Sequence, residues 1–235
     1  METLFSGDAW ARVWDFRSTM LLGLRTTVFT ALLSILLAFL LGMLFGLFST
    51  GKNRVLRAAA RVYVEIIQNT PIVLQLCFMY YALIYSGHSV QISTAGVLAL
   101  GIYHGAYMSE VIRAGISSIP KGQFEAGQSQ GFSYVQQMAW IILPQSVKVI
   151  LPPMVNQVVN LIKNTSCLYI IGGADLIATT YNFVTGETTG GAYGPAYLVG
   201  AALFFCICFP LSMLAGKWEE TLKKRDQQAG GKEAA

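Results

Sequence analysis

Charged side chains are scarce in this sequence, which has 16 Lys and Arg and 12 Asp and Glu among 235 residues. Charged residues make up 12% and hydrophobic residues 54% of the chain. A soluble domain usually carries about twice that charged fraction. Too few charges remain to cover a surface that faces water, so the composition excludes a soluble globular domain and predicts a membrane protein.

Histidine and cysteine, which serve in metal binding and in catalysis, are also scarce. There are two His, and the four Cys lie inside apolar runs without metal-like grouping. We expect the Cys to be small buried hydrophobes and His104 to pack beside aromatic residues. No Ser/His/Asp set and no pair of metal-binding His is present, so we expect neither an enzyme nor a metal site. The basic residues form no basic face, which argues against nucleic acid as a partner.

Five long apolar runs predict five transmembrane helices, because a span needs about 20 residues. Turn-forming residues near 86–94 divide the long uncharged stretch after Ile66 into two of these spans. The fold class predicted is an all-α, polytopic membrane protein, with one transmembrane domain (1–217) and a tail (218–235). The predicted spans are 26–50, 62–85, 92–112, 146–169 and 195–216.

The distribution of basic residues predicts the orientation of the chain. Twelve Lys and Arg fall in 51–61, 113–148 and 217–235, which five spans place on one side of the membrane. Three Arg fall on the other side, before the first span. Positively charged loops stay in the cytoplasm, so we expect the N-terminus outside and the C-terminus inside.

Polar residues follow one face of the fourth predicted span, at spacings of three and four. Polar and charged groups inside a span are costly and normally face a pathway. One cation on this face suits a polar solute with a carboxylate, although the Asn side chains would equally serve to tie helices together. We expect Pro152 and Pro153 to bend this helix. The candidate pathway residues here are Asn156, Asn160, Lys163, Asn164, Thr165 and Ser166.

The second and third predicted spans hold further candidate pathway residues. Pro71 has no N–H to give to the carbonyl near Ile67, which favours a kink in span two. On span three, we expect Glu110 to pair with Arg113 one turn away. The candidates on these spans are Gln68, Asn69, Thr70, Gln75 and Tyr107.

Two pairs of glycines lie four residues apart, Gly42 with Gly46 and Gly101 with Gly105. Small residues at this spacing let helices approach closely in lipid. We expect them to serve packing within the helical bundle.

The stretch "GLFSTGKN" (46–53) resembles a phosphate-binding loop but departs from it where the chemistry matters. Asn53 occupies the position of the hydroxyl that would hold magnesium, and a membrane span precedes it in place of a strand. We therefore expect this chain to bind no ATP itself.

The segment 114–144 is polar and punctuated by glycine. We expect a short helix through "QFEAGQSQ" with Gly131 as its left-handed cap, then a capping box of Ser133 and Gln136 that begins a second helix. The second helix should stop near Leu143, because the residue before a proline resists helical geometry. Ala126 and Gly127 should leave one surface of the first helix bare, so that another protein can approach it closely. The segment is predicted to be a cytoplasmic docking element.

The spacing in this segment resembles the signature of bacterial ABC-importer permeases: Glu-Ala-Ala, three residues, Gly, nine residues, Ile, one residue, Leu-Pro. Gly127 replaces the second Ala, a change of one small residue for another. The stretches "QNTPIVLQ", "YMSEVIRAGI", "IPKGQFEAG" and "LIKNTSCLYIIG" are similar to motifs of permeases for polar amino acids, and the resemblance covers roughly residues 15–217. The coupling residues that it implies are Glu125, Ala126, Gly127, Gly131, Ile141, Leu143 and Pro144.

The resemblance implies a type I importer in the bacterial cytoplasmic membrane. Two permease subunits, identical or homologous, would form the pathway, and two cytoplasmic ABC ATPase subunits would dock on the coupling loops. An extracytoplasmic amino-acid-binding protein would deliver the solute. ATP and magnesium would be bound by the ATPase subunits and no cofactor by this chain.

Two alternatives remain open at the level of sequence. A self-sufficient secondary carrier or channel could use Glu65, Glu110 and Lys163 as ion or proton groups, but it predicts internal repeats or more spans. A membrane scaffold without transport would have no need of the polar face on span four.

Overall fold

The chain is helical in every region that the structure, a computed structural model, describes: residues 6–87, 91–186 and 191–233, with side chains up to residue 222. No strand occurs in these ranges. The central residues of the predicted 86–94 turn and the end of the predicted tail lie outside them. The α-helices are α1 (Gly7–Asp15), α2 (Arg17–Thr50), α3 (Arg54–Gln68), α4 (Ile72–Tyr85), α5 (Ile92–Ser117), α6 (Lys121–Ser129), α7 (Tyr134–Gln137), α8 (Leu143–Asn164), α9 (Leu176–Thr185) and α10 (Tyr193–Glu233).

Three helical stretches in the described residues are long and apolar enough to cross a membrane: Arg17–Thr50, Tyr134–Ile171 and Tyr193–Leu222. They contain the first, fourth and fifth predicted spans. At about 1.5 Å per residue, the 34 residues of α2 extend about 51 Å, more than the hydrocarbon core of a bilayer. These helices confirm a protein that crosses the membrane several times.

The second predicted span, 62–85, is not one helix with a kink. It is divided into α3 and α4. These two helices are long and apolar enough to cross a membrane when they are counted together as a bent pair. Asn69 ends α3, and its amide Nδ2 donates to the Glu65 carbonyl at 2.7 Å. Pro71 starts α4 as its N-cap. The prediction of a kink underestimated the change, because Pro71 and the Asn69 cap together stop one helix and begin another.

The third predicted span, 92–112, lies within the helix α5. Its Gly, His and Ser residues make it less apolar than the three long helices. By composition it is therefore not among the helices that are apolar enough to cross a membrane. Three to four membrane-crossing segments are therefore supported, counting the bent pair as one, and the number five stays a prediction.

The described residues group into two units. Helices α2, α5, α8 and α10 each contribute residues to both. The first unit comprises Met1–Leu37, Thr70–Tyr103 and Asn160–Phe209, and the second comprises Ala38–Asn69, His104–Val159 and Pro210–Ala235.

In the first unit, α9 packs against the beginning of the chain. The rings of Phe16 and Phe183 stack with centroids 4.4 Å apart, inside a buried cluster that also includes Met20 and Leu176. Gly23 allows a close approach of α9, because a Cβ at this position would lie 2.5 Å from Thr179 Oγ1. The start of α9 is thus held against α2 by apolar packing.

In the second unit, glycines join α2 to α5. A Cβ at Gly42 would lie 2.7 Å from Met108 Cβ, and one at Gly46 would lie 2.8 Å from Ile112 Cβ. The predicted role of this glycine pair in packing within the bundle is confirmed. Nearby, the rings of Phe45 and Tyr63 stack with centroids 4.2 Å apart, which attaches α3 to the end of α2.

Candidate functional site

The segment 114–144 lies wholly in the second unit, and its first part folds as predicted. Helix α6 ends at Ser129, and Gly131 has a φ of +79°, which is the left-handed region. The Gly131 N–H donates to the Gln128 carbonyl at 3.0 Å, and the Phe132 N–H donates to the Gly127 carbonyl at 3.1 Å. Gly131 is therefore confirmed as the glycine that terminates α6, because other residues pay a steric cost in this conformation.

The capping box is also confirmed. The Gln136 N–H donates to Ser133 Oγ at 3.4 Å, and the Ser133 N–H donates to Gln136 Oε1 at 2.9 Å. These reciprocal bonds satisfy two donors at the start of α7 that have no partner within the helix.

The prediction that the second helix stops near Leu143 is wrong. Helix α7 passes through a π-helical turn, Met138–Ile142, directly into α8. The Leu143 N–H donates to the Met138 carbonyl, five residues back. This wider turn changes the hydrogen-bond register just before Pro144, so that the helix continues past a residue without an N–H. The second part of segment 114–144 and the fourth predicted span are consequently one continuous helical element from Tyr134.

The side chains of the signature divide into exposed and inward-facing groups. Glu125, Ala126, Gly131 and Pro144 are exposed, and Ile141 and Leu143 are half-buried. Gly127 is buried, contrary to the expectation that it forms a bare outer surface with Ala126. A Cβ on Gly127 would lie 2.8 Å from Gln137 Nε2, so this glycine makes room for a neighbouring side chain inside the segment.

Sequence reasoning missed several residues of this segment. Val135 and Trp140 are 73% and 76% exposed, which is unusual for large apolar side chains in a polar stretch. Tyr134 contacts the α2–α3 turn: its hydroxyl donates to the Thr50 carbonyl at 3.4 Å, and Lys52 Nζ lies 5.8 Å from its ring centroid. Val135 and Trp140 could have been identified from the sequence, because they are apolar residues within the stretch "GFSYVQQMAW". The Tyr134 contact could not, because it depends on residues far apart in the chain.

Gln68 lines a polar cavity of about 500 Å³ in the second unit. Its walls also include Arg57, Arg61 and Glu65 of α3, together with the pair of Glu110 and Arg113. Arg113 Nη2 lies 2.8 Å from Glu110 Oε2 and Arg113 Nε lies 3.0 Å from Glu110 Oε1. The bidentate contact confirms the predicted pairing of these two residues. Arg57, Arg61 and Glu65 are further charged residues in the wall of the cavity.

Asn156 lines a second cavity, of about 580 Å³, in the same unit. Lys148 and Glu219 place a cation and a carboxylate in its wall, beside Pro152 and Pro153. Both prolines lie within α8, which continues through them as a helix. Tyr107, also in this unit, is half-buried.

Asn69 also lies in the second unit, and the remaining pathway candidates lie in the first. Gln75 Nε2 donates to Thr70 Oγ1 at 2.6 Å, so these two residues are brought together at the start of α4. Asn160 and Lys163 of α8 are exposed, and Asn164 and Ser166 are half-buried. Thr165 is fully buried, and its hydroxyl donates to the Ile162 carbonyl at 2.7 Å.

The stretch that resembles a phosphate-binding loop has a structural role. Asn53 is the N-cap of α3, and its Oδ1 accepts hydrogen bonds from the N–H groups of Val55 at 2.9 Å and Leu56 at 3.3 Å. An Asn at this position satisfies donors at a helix start, which accounts for its presence where the phosphate-binding pattern has a hydroxyl residue.

Comparison with known proteins places this geometry in a family. Residues 38–220 match the family described as binding-protein-dependent transport system inner membrane component. The chain is similar to a probable glutamine ABC transporter permease protein of Bacillus subtilis strain 168, at 35% identity over 92% of this chain and 95% of that protein. It is also similar to the glutamine transport system permease protein of Escherichia coli K12, at 30% identity over 91% of this chain and 97% of that protein.

Solved structures agree with this assignment. The crystal structure of an amino acid ABC transporter with histidines superposes with a TM-score of 0.81 at 29% identity, covering 90% of this chain and 98% of that one. An inward-facing methionine ABC transporter matches with a TM-score of 0.70 at 16% identity, over 87% and 98% of the two chains, which bears on the fold alone. The helical architecture, the membrane-crossing helices and the family match together establish that this chain belongs to the inner membrane components of binding-protein-dependent transport systems, as a multi-pass permease with the type I ABC importer fold.

Proposed function

We propose that the chain is the permease subunit of an ABC importer for polar amino acids, with its coupling site in segment 114–144. The observation that carries the proposal is the geometry of that segment. A helix that presents Glu125 and Ala126 is terminated by Gly131, and the following helix continues without a break into α8. An exposed helix that is joined to a continuous helix leading into α8 suits a protein that transmits the movement of a partner into the membrane.

The choice of substrate class is supported by the relatives. Proteins similar to this chain over nearly their whole length carry names of glutamine permeases, and a solved relative is an amino acid transporter. Glutamine and other polar amino acids share an α-carboxylate, which the exposed Lys163 would meet. The further pathway residues proposed are Gln68, Asn69, Thr70, Gln75, Tyr107, Asn156, Asn160, Asn164, Thr165 and Ser166.

The proposed topology has five spans, with the N-terminus outside and the C-terminus in the cytoplasm. It takes α5 as a span in spite of its moderate apolarity, and it treats α3 and α4 as one broken span. Residues 1–217 would form the transmembrane domain, and 218–235 would be a cytoplasmic tail that continues α10. Segment 114–144 is then cytoplasmic, on the side where ATP is available.

The proposed complex contains two permease subunits, two ATPase subunits and an extracytoplasmic amino-acid-binding protein. ATP and magnesium are assigned to the ATPase subunits. Polar residues on α8, such as Asn156, Asn160 and Lys163, are exposed. Contact of these side chains with lipid would be energetically unfavourable, which supports a second permease subunit or a water-filled pathway as their neighbour.

A secondary carrier remains the second candidate function. It would need carboxylates in the membrane that gain and lose protons, and Glu110 is one of three ionisable groups available to it. The bidentate contact of Glu110 with Arg113 favours a fixed structural ion pair over a proton carrier.

Uptake into vesicles tests the proposal. The permease is reconstituted with its ATPase and binding protein, and uptake of labelled glutamine is measured with ATP inside, without ATP, and without the ATPase. We expect transport under the first condition alone. Uptake that persists without ATPase subunits would establish the secondary carrier instead.

Replacement of Glu125 tests the docking site. Glu125→Ala should reduce the ATPase retained on the purified permease, because it removes an exposed carboxylate from the proposed contact. Glu220→Ala, at an exposed carboxylate outside the segment, is the control. Full ATPase retention and normal ATP-driven uptake by Glu125→Ala would refute the docking assignment.

A further inference from the structure

Gln137 is a buried polar residue in the middle of the exposed segment 114–144. Its side chain is 2% exposed, although neighbours such as Val135 and Trp140 are largely open to their surroundings. Burying an amide is unfavourable unless its hydrogen-bonding groups have partners. The contacts of Gln137 therefore indicate what it does in the fold.

The Gln137 amide reaches from the second helix of the segment to the first. Its Nε2 donates to the Phe124 carbonyl and lies 3.4 Å from the Gln123 carbonyl. Both carbonyls belong to α6, thirteen and fourteen residues away. One side chain thus connects α6 to the continuous helix that leads into α8.

Gly127 is the residue that makes this contact possible. A Cβ at Gly127 would lie 2.8 Å from Gln137 Nε2 and 3.1 Å from both Gln137 Cγ and Cδ. Normal packing leaves no room for such an atom, so an Ala here would displace the amide from the α6 carbonyls. Gly127, which stands where the signature has its second Ala, is therefore in close contact with Gln137.

A second glutamine strengthens the same connection. Gln145 Nε2 lies 3.3 Å from Gln123 Oε1 and 2.8 Å from the Ile141 carbonyl. Gln123 therefore contacts the second helix at both Gln137 and Gln145. Two contacts separated by two turns resist rotation of α6 better than one contact does.

We propose that Gln137, accommodated by Gly127, is a positioning residue that holds α6 at a fixed orientation on the helix entering α8. The inference rests on the proposed docking of an ATPase at α6. A movement imposed on Glu125 is passed to α8 only as far as α6 and α8 move as one body. Without the amide contact, α6 turns on its connection and the ATPase movement is partly lost.

A double-mutant cycle in the reconstituted importer tests this role. The variants are Gly127→Ala, Gln137→Ala and the two combined, with Gln91→Ala as a control at an exposed glutamine outside the segment. Uptake of labelled glutamine and ATP hydrolysis are measured together, and their ratio is the readout. A defect confined to folding changes the amount of complex but not the ratio.

We expect each single variant to lower uptake per ATP by about threefold or more, with Gln91→Ala unchanged. The combined variant should transport better than Gly127→Ala alone, because the added methyl no longer meets the amide. If Gly127→Ala prevents assembly, recovery of assembly in the combined variant supports the same contact. Unchanged ratios in both single variants, or strictly multiplicative losses in the combined variant, would overturn the proposal.

Thermal unfolding of the purified permease separates this proposal from the docking proposal. In the same double-mutant cycle, the combined variant should have a higher unfolding temperature than Gly127→Ala, whether or not an ATPase docks at α6. Recovery in unfolding together with normal ATPase retention by Glu125→Ala would leave the contact established, and would refute both docking and the coupling role of Gln137.

Discussion

The backbone N–H of Leu176 donates a hydrogen bond to Thr27 Oγ1 at 3.0 Å, across 149 residues of sequence. Leu176 is the first residue of α9, where helix N–H groups have no partner within the helix. Both residues are fully buried. The hydroxyl of α2 thus completes the start of α9, and it does so where water is excluded.

Thr27→Val should destabilise the permease, because it keeps the shape of the side chain but leaves the Leu176 N–H buried without an acceptor. The expected loss is about 1–3 kcal/mol. Thermal unfolding of the purified protein in nanodiscs measures it. Thr26→Val is the control, since Thr26 is only half-buried and its hydroxyl forms an exposed hydrogen bond to the Leu22 carbonyl within its own helix. Equal stability of the two variants would contradict the role given to Thr27.

Gly46→Ala should weaken the contact between α2 and α5. The added methyl would meet Ile112 Cβ and Cγ2 at 2.8 Å, and overpacking of this kind costs about 1–3 kcal/mol. Unfolding temperature is again the measurement. Gly216→Ala is the matched control, because nothing lies within 4 Å of a Cβ there and helices favour Ala over Gly. A loss in Gly216→Ala as large as in Gly46→Ala would point to a general intolerance of substitution.

Gly131→Ala should impair ATPase retention, because a φ of +79° is unfavourable for an L-residue by about 1–2 kcal/mol. Gly131→Asn should retain more ATPase than Gly131→Ala, since Asn tolerates the left-handed region better. Gly122→Ala, in the same segment but without positive φ or close neighbours, should behave as the unmodified protein. The proportion of ATPase that copurifies with the permease gives the order. An Asn variant as defective as the Ala variant would argue that the role of Gly131 is not conformational.

Lys163→Met should reduce uptake about tenfold or more, because a hydrogen bond to a charged group is worth about 1.5–3 kcal/mol. Lys163→Arg keeps the charge and should retain a larger fraction of the uptake. ATPase retention and basal ATP hydrolysis are measured in parallel and should be unchanged in both variants. Uptake by Lys163→Met equal to that of the unmodified protein would remove Lys163 from the proposed pathway.

Much of the architecture was predictable from residue type and spacing. Gly131 and the Ser133–Gln136 box gave correct helix boundaries, because caps depend on residues within one turn of each other. The pairing of Glu110 with Arg113 was predictable for the same reason. Local rules failed at Pro144, because a π-helical turn lets the helix continue past the proline. They also failed at Pro71, where two separate helices replace the predicted kinked helix.

Composition and local order by themselves determined that this chain enters a membrane, where its longest spans lie, and which segment carries the importer signature. The tertiary structure decided which face each small residue turns toward. Gly127 meets Gln137 instead of a partner protein, and Gly46 meets Ile112. The physical reason is that burial and close contact depend on residues brought together from separate helices, whereas apolarity and capping act within a single helix.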